Sequence, residues 1–227
     1  MAFASASMAE SLDVSQAYYN VEKSLEQTSA RLNGLPMTLY LTGDNNFRYN
    51  IFPEYKLNRR KQPRPTHLQA VKLYLADKHA AVISDGCEAD DLCGIDQTQS
   101  NAQGEDTILC SIDKDLDQIP GKHYRPAIWR DGVEISPERE YYVTPNDGLR
   151  FFYWQLLVGD AGDGVKGAKG IGKVKAERIL EGLSNELELF EAVSDYFSCE
   201  EELLLNGQVL WIWRAPEGIW KLPNQES

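Results

Sequence analysis

The chain has 227 residues, 42% of them hydrophobic, and a formal net charge of −12. That length suits one domain, or a domain with a subdomain, and the apolar content is enough for a core. No apolar run approaches the roughly 20 residues of a membrane span, and the start lacks the basic region and long apolar stretch of a secretory signal. The acid excess argues against a simple nucleic-acid coat, but its distribution matters more than its total. Residues 55–76 carry six basic side chains and no acid, whereas 179–213 carry eight acids and neither Lys nor Arg. Four cysteines without a Cys-x-x-Cys pairing read as reduced thiols of a cytosolic protein, and three scattered histidines argue against a zinc site.

Residues 8–32 read as one helix with Leu12, Tyr19, Leu25 and Leu32 facing inward, stopped at Asn33-Gly34. Residues 37–42 read as a short buried strand. Asp44 stands just past its C-terminal end, the usual ligand position in an open α/β sheet, or else is a plain turn residue. Residues 45–65 are irregular, basic and aromatic, with Pro53, Pro63 and Pro65 limiting helix. Basic side chains interleaved with Phe47, Tyr49, Phe52 and Tyr55 suit single-stranded nucleic acid, through phosphate contacts and base stacking. The plainer alternative is a solvated loop with some aromatics packed down.

Residues 66–77 predict an amphipathic helix through Leu68, Val71, Leu75 and Ala76, and 80–84 predict the next strand. Glu88-Ala89-Asp90-Asp91 then opens a helix containing Leu92 and Ile95. Three acids there either complement a helix dipole or feed a metal pair, Glu88 and Asp91 sharing a face. Residues 97–106 read as a polar connection, and 107–112 as a buried strand that runs into Asp113-Lys114-Asp115. Carboxylates thus stand at three successive strand ends, which random surface acids would not do. Strands alternating with helices imply a mostly parallel sheet covered by helices.

Asp131-Gly132 between strand-like flanks predicts a small hairpin, and residues 150–158 an aromatic-rich helix that delivers Asp160. The chemistry concentrates in 157–180. Asp160 and Asp163, three apart among glycines, can face one point as hard-cation ligands must. Gly170-Ile171-Gly172 then opens a helix through Ala176, Ile179 and Leu180, whose free N–H groups can meet a phosphate. Lys166, Lys169, Lys173, Lys175 and Arg178 surround it against one acid, Glu177. A lone Gly-Ile-Gly also caps ordinary helices; the neighbouring acid pair and basic cluster turn the reading toward a nucleic-acid phosphodiesterase. A helix over 186–197 follows, and 208–214 could pair with 219–222 across 215–218.

Four blocks in order resemble the 5′ nuclease family of bacteriophage 5′-3′ exonucleases, flap endonucleases and the 5′ nuclease domain of bacterial DNA polymerase I. They are Asp44 with Phe52-Pro53-Glu54-Tyr55-Lys56-Leu57-Asn58-Arg59; Glu88-Ala89-Asp90-Asp91; Asp113-Lys114-Asp115-Leu116-Asp117-Gln118; and Gly159-Asp160-Ala161-Gly162-Asp163 with Gly167-Ala168-Lys169-Gly170-Ile171-Gly172. The resemblance implies a PIN-like three-layer α/β fold with a mostly parallel sheet. Residues 1–227 would form a single 5′ nuclease domain, with a helical arch near 45–77, a helix-hairpin-helix subdomain near 150–182 and a C-terminal extension over 183–227.

By the same resemblance, Asp44, Glu88, Asp90, Asp91, Asp113, Asp115, Asp160 and Asp163 hold two divalent metals, usually Mg2+ with Mn2+ as a substitute. These clamp the attacking water and the leaving oxygen of a phosphodiester. Lys56 and Arg59 are the catalytic contacts to the scissile phosphate or the 5′ end, and Tyr55 stacks a base. Arg60 and Lys61 add DNA contacts. Gly170, Gly172, Lys173 and Lys175 hold duplex backbone, with K+ on the hairpin carbonyls. The implied protein is a monomeric, cytoplasmic, metal-dependent 5′-3′ DNA exonuclease with flap endonuclease activity on duplexes bearing a 5′ end or flap. It acts in DNA replication, in the host cytoplasm if phage-encoded.

Two departures qualify the match. Gly164, Val165 and Lys166 stand where the family has Asn-Ile-Pro. The chain also opens in a helix where the family opens on a strand ending in a metal-binding aspartate, so the first strand is missing. This motivates an alternative, a catalytically impaired structure-specific DNA-binding homologue. It also motivates the expectation that Met1 is a late start and that residues 1–227 are marginally stable and poorly active. A PIN-type ribonuclease toxin fits less well, because such domains lack the helix-hairpin-helix.

Overall fold

In the computed structural model, residues 1–130 and 132–223 are described. In chain order the elements are α1 (Ala2–Ser7), α2 (Val14–Arg31), β1 (Tyr40–Leu41), α3 (Arg48–Ile51), α4 (Leu57–Arg60), α5 (Leu68–His79), β2 (Val82–Ile83) and α6 (Ala89–Gln103). There follow β3 (Ile108–Cys110), a 3-10 turn (Lys114–Gln118), β4 (Gly121–Arg125), β5 (Ile128–Arg130), β6 (Val133–Ser136), β7 (Arg139–Val143) and α7 (Pro145–Val158). The chain closes with β8 (Gly159–Asp160), β9 (Val165–Lys166), α8 (Lys173–Ile179), α9 (Glu186–Ser194) and α10 (Glu200–Leu210). This is the expected mixed α/β architecture. It divides into two compact units, residues 1–45 with 60–89, and residues 46–59 with the chain from 90 onward.

In the first unit, Asp13 sets the start of α2 by accepting the Ser15 N–H at 2.9 Å. The inward face is therefore Ala17, Val21, Leu25 and Thr28, which packs with Leu68, Val71 and Leu75 of α5. Leu12 and Tyr19, expected inside, are 53% and 59% exposed. Leu12 precedes the helix, and Tyr19 lies two residues past Ala17, roughly 200° round the axis. β1 and β2 pair in parallel, Tyr40 opposite Val82 and Leu41 opposite Ile83. The expected buried strand over 37–42 is reduced to this half-buried ladder, because a two-stranded sheet leaves Met37, Val82 and Ile83 in contact with water. Both strands end at the same side. There the Ser84 hydroxyl donates to the Cys87 carbonyl at 2.7 Å and accepts the Gly43 N–H at 3.1 Å. Residue 43 must be glycine, since a Cβ would stand 2.0 Å from the Ser84 carbonyl oxygen.

In the second unit, β3 and β4 are parallel and β4 and β7 antiparallel. α6 runs on to Gln103 through the stretch expected to be a connection. Its inward residues Asp91, Gly94, Gln97 and Ser100 are polar or small, which hides a helix from hydropathy. The Gln97 side-chain Oε1 accepts from the Thr107 hydroxyl at 3.2 Å, and a Cβ on Gly94 would stand 2.4 Å from the Trp213 carbonyl oxygen. β3 buries only Leu109, and Ile112 just beyond it is 55% exposed. β5 and β6 form the expected antiparallel pair; Asp131, half of the expected Asp131-Gly132 turn, lies outside the described residues.

α7 begins earlier than residue 150, because Thr144 and Asp147 form a capping box with Pro at the first turn. Phe152, Tyr153, Leu156 and Leu157 of α7 are the centre of the second core, each worth roughly 1.5–3 kcal/mol of burial on general scales. Residues 208–214 and 219–222 do not pair as strands. α10 takes in Gln208 to Leu210, and Trp220 lies against Gly207, where a Cβ would stand 2.1 Å from the ring.

Candidate metal and nucleic-acid site

In the second unit the acids come from the turn after β3 and from the tight β8–β9 loop. Asp113 accepts the Asp115 N–H at 3.0 Å and so caps the 3-10 turn. Asp115 Oδ1 accepts from Gln155 Nε2 at 2.8 Å and from Lys114 Nζ at 2.6 Å. The same ammonium lies 3.6 Å from Asp160 Oδ2. Asp160 Oδ1 in turn accepts the N–H groups of Gly162 at 2.7 Å and Asp163 at 3.1 Å, which closes the loop. One cation thus faces two carboxylates carried by different elements. Burial pushes the Asp115 carboxyl above its ordinary range, with Lys114 opposing. Burial alone would lower Lys114; its hydrogen bond to Asp115 and the surrounding carboxylates overcome this and raise it.

Asp163 faces the segment 46–59. Arg59 Nη1 lies 3.3 Å from its Oδ1, Lys56 Nζ 3.7 Å from its Oδ2, and the Tyr55 hydroxyl donates to Oδ2 at 3.1 Å. The Lys56 N–H also bonds the Asp163 carbonyl at 2.9 Å. Lys56 adopts φ +52°, a left-handed conformation that costs a non-glycine residue and that this clamp maintains. Tyr55 itself is 2% exposed and packs within the core. The expectation that it stacks a base is corrected: its ring is consumed by packing, and its hydroxyl orients Asp163.

Asp91 also departs from expectation. It is fully buried and forms a two-pronged ion pair with Arg48, at 2.6 and 2.9 Å, while accepting the Trp213 N–H at 3.1 Å. A carboxylate held this way is a structural anchor rather than an open ligand, and sharing a helix face with Glu88 gave no hint of it. Asp90, one residue earlier, is half-buried.

In the first unit, Asp44 follows β1 and Glu88 follows β2, so both stand past the C-terminal ends of neighbouring parallel strands. Asp44 is exposed, with Arg64 Nη1 at 3.6 Å, and Glu88 is 7% exposed. Arg60 and Lys61 are exposed. Around α8, Lys166, Lys169, Lys173, Lys175 and Arg178 are all exposed. Gly170 has φ +76°, a turn only glycine adopts cheaply, and Ile171 beside it is 7% exposed, pinning the loop to the core. Gly172 has an extended φ of −98° and open space around it.

The donor chemistry suits a hard divalent cation, since every candidate ligand is a carboxylate oxygen. Among the described residues, no three His, Cys, Asp or Glu side chains converge on one metal position. In the second unit, cations of the chain itself stand between the acids. The residues missed from sequence are Lys114, Gln155, Gln118 and Arg48. Lys114 was visible as the basic residue between two acids. Gln118 stood in the Asp113–Gln118 block without a role; its part and those of Gln155 and Arg48 stayed hidden, because each acts through partners 37 to 161 residues away.

A sequence profile for the family described as 5′-3′ exonuclease, N-terminal resolvase-like domain, matches residues 5–142. The chain is 28% identical over 173 residues to DNA polymerase I of Caldicellulosiruptor bescii, covering 71% of this chain and 20% of the polymerase. It is 28% identical over 155 residues to a 5′-3′ exonuclease of Buchnera aphidicola, covering 65% and 52%. It is 28% identical over 169 residues to the flap endonuclease Xni of a Shewanella species, covering 71% and 63%. The chain therefore spans about a fifth of the polymerase and about half of the Buchnera exonuclease. The crystal structure of a bacteriophage T5 flap endonuclease pseudo-enzyme–product complex with DNA and metal ions superposes with a TM-score of 0.60 at 20% identity, over 90% of this chain and 81% of that one. The T5 5′-exonuclease with zinc bound gives 0.57 at 21% identity, over 83% and 78%. At these identities what is shared is the fold.

Proposed function

Because the chain belongs to the family of 5′-3′ exonuclease N-terminal resolvase-like domains, we propose that it is a metal-dependent 5′-3′ exonuclease and flap endonuclease acting on DNA. The observation that carries this reading is the Lys114 ammonium, drawn at once to Asp115 and Asp160. Carboxylates aimed at one positive charge are what a cation site requires.

In this reading Asp113, Asp115, Asp160 and Asp163 hold a divalent cation, with Mg2+ as the natural ion and Mn2+ as a substitute; Asp44 and Glu88 of the first unit, and separately Asp90 of the second, are further candidate ligands. Cations bound there supply Lewis-acid stabilisation of the charge that develops on a phosphodiester under attack by water. Lys56 and Arg59 leave Asp163 for the phosphate, adding positive charge where negative charge grows. Asp91 and Tyr55 position their neighbours. Lys173 and Lys175, with the backbone of Gly170 and Gly172, grip duplex phosphates, and a K+ ion on the carbonyls of that turn belongs to the same proposal. Arg60 and Lys61 extend the grip.

The test is cleavage of 5′-labelled flap and blunt duplexes with and without Mg2+. Short 5′ products that appear only with metal support the reading; duplex binding with no metal-dependent cleavage sinks it. That second result fits the alternative of a non-cleaving DNA-binding homologue, which one observation favours: no three carboxylates converge among the described residues.

A further inference from the structure

Asp115 is contacted from two sides of opposite character. From the interior comes Gln155, 2% exposed, which donates to Oδ1 at 2.8 Å. Gln155 is itself held by Gln118, 0% exposed, whose Nε2 donates to Gln155 Oε1 at 2.8 Å and to the Leu210 carbonyl at 2.7 Å. Gln118 Oε1 accepts the Ile212 N–H at 3.1 Å. The carboxylate is therefore fixed from behind by a chain of buried amides. On the same oxygen sits Lys114, whose side chain is 56% exposed and whose ammonium also reaches toward Asp160.

We propose that Lys114 is a tethered counter-ion of the cation site, so that a divalent cation entering between Asp115 and Asp160 must displace its ammonium. The inference rests on the reading of these acids as cation ligands. The lysine is suited to the exchange. It lies in sequence between Asp113 and Asp115, so its charge is never far away, and its side chain is 56% exposed, which leaves the ammonium a path into water. A divalent ion carries twice its charge and wins the competition, but against a resident cation rather than against empty carboxylates. Gln155 plays the reverse part: it holds the carboxylate in place for whichever cation is present.

The two residues touching Asp115 Oδ1 therefore affect cation affinity with opposite signs. A merely structural role predicts one sign, because loosening Asp115 from either side would weaken binding.

The experiment is a Mn2+ titration of the full chain by calorimetry or by the electron paramagnetic resonance of free Mn2+. It compares the unaltered protein with Lys114→Gln, Lys114→Ser, Lys114→Arg and Gln155→Ala. Losing the ion pairs to the partly buried Asp115 and Asp160 should tighten Mn2+ binding about three- to fivefold in both neutral Lys114 variants. Lys114→Arg keeps the charge and should stay within about twofold of the unaltered chain. Gln155→Ala should weaken binding about tenfold or more. Saturable binding that is unchanged or weaker in Lys114→Gln and Lys114→Ser overturns the counter-ion role and leaves the metal reading intact. Absence of saturable binding in every chain overturns both.

Discussion

Asp91→Ala gives a sharp separation between a structural acid and a ligand. Arg48 and Asp91 have side chains 3% and 0% exposed. Removing the carboxylate breaks two charged hydrogen bonds, at 2.6 and 2.9 Å, and leaves the Trp213 N–H without its 3.1 Å acceptor. The guanidinium keeps the Val209 carbonyl at 2.8 Å and the Trp211 carbonyl at 2.7 Å, so its charge is stranded but not wholly unsolvated. Breaking one side of a buried pair costs about 3–5 kcal/mol, which at this size lowers the midpoint by roughly 6–20 °C. The five tryptophans, Trp129, Trp154, Trp211, Trp213 and Trp220, all belong to the second unit, so fluorescence-detected melting reads that unit alone. The double variant Arg48→Met with Asp91→Leu should recover part of the loss, since an apolar pair strands no charge. Mn2+ affinity of Asp91→Asn, measured below its melting range, should change little. An Asp91→Ala protein that melts normally, together with an Asp91→Asn protein that no longer binds Mn2+, would refute the argument and restore Asp91 as a ligand.

Gly207→Ala should cost about 1–3 kcal/mol of overpacking and lower the same fluorescence midpoint by roughly 2–12 °C, because the new methyl meets the Trp220 ring at 2.1 Å; an unchanged midpoint would mean the ring moves freely. In the first unit, the hydrogen bond from His79, with those from Tyr74 and Lys78, lowers the Glu22 carboxyl from 4.5 to about 2. A depressed folded-state value means that this contribution is complete above pH 4.5 and lost as pH falls from there through about 2, so Glu22→Gln should flatten the loss of helical circular dichroism over that window; an unaltered acid profile contradicts it. Lys56→Ala and Arg59→Ala should slow cleavage more than they weaken binding. Lys173→Ala and Lys175→Ala should weaken duplex affinity and reduce its salt slope by about one unit per phosphate contact, and equal effects of both pairs in both assays would remove that division.

What the sequence disclosed was the part written in local pattern. Acids past Leu41, past Ile83 and past Cys110 follow strands that do form, and the Asp160–Asp163 loop does turn back toward Lys56 and Arg59. The position of Asp44 relative to β1 was legible for the same reason. What stayed hidden depends on partners remote in the chain. Tyr55 reads as a stacking aromatic until Asp163, 108 residues on, captures its hydroxyl. Asp91 reads as a ligand sharing a face with Glu88 until Arg48 takes it into the core. The inward face of α6 is Asp91, Gly94, Gln97 and Ser100, which no hydropathy pattern marks as helix. α10 escaped because Gly207 and Gln208 look like strand or turn residues until Trp220 is placed over the glycine.

The division of the chain has a consequence for the order in which it can fold. Residues 46–59 belong with the chain from 90 onward, although they leave the ribosome before 60–89. Arg48 waits 43 residues for Asp91 and 161 for the Val209 carbonyl; Tyr55 waits 108 for Asp163. During synthesis Arg48 stands without its buried counter-charge until Asp91 is made and Tyr55 without its acceptor until Asp163 is made, while the sequence neighbours of the segment on both sides can already associate with each other. Contacts of such long separation make for slow closure and an interval of exposed apolar surface. The same arithmetic sets where the protein can be divided. A fragment starting at residue 90 would bury Asp91 without Arg48 and leave a tyrosine-sized hole at position 55, so the later unit cannot be produced by trimming away everything before it.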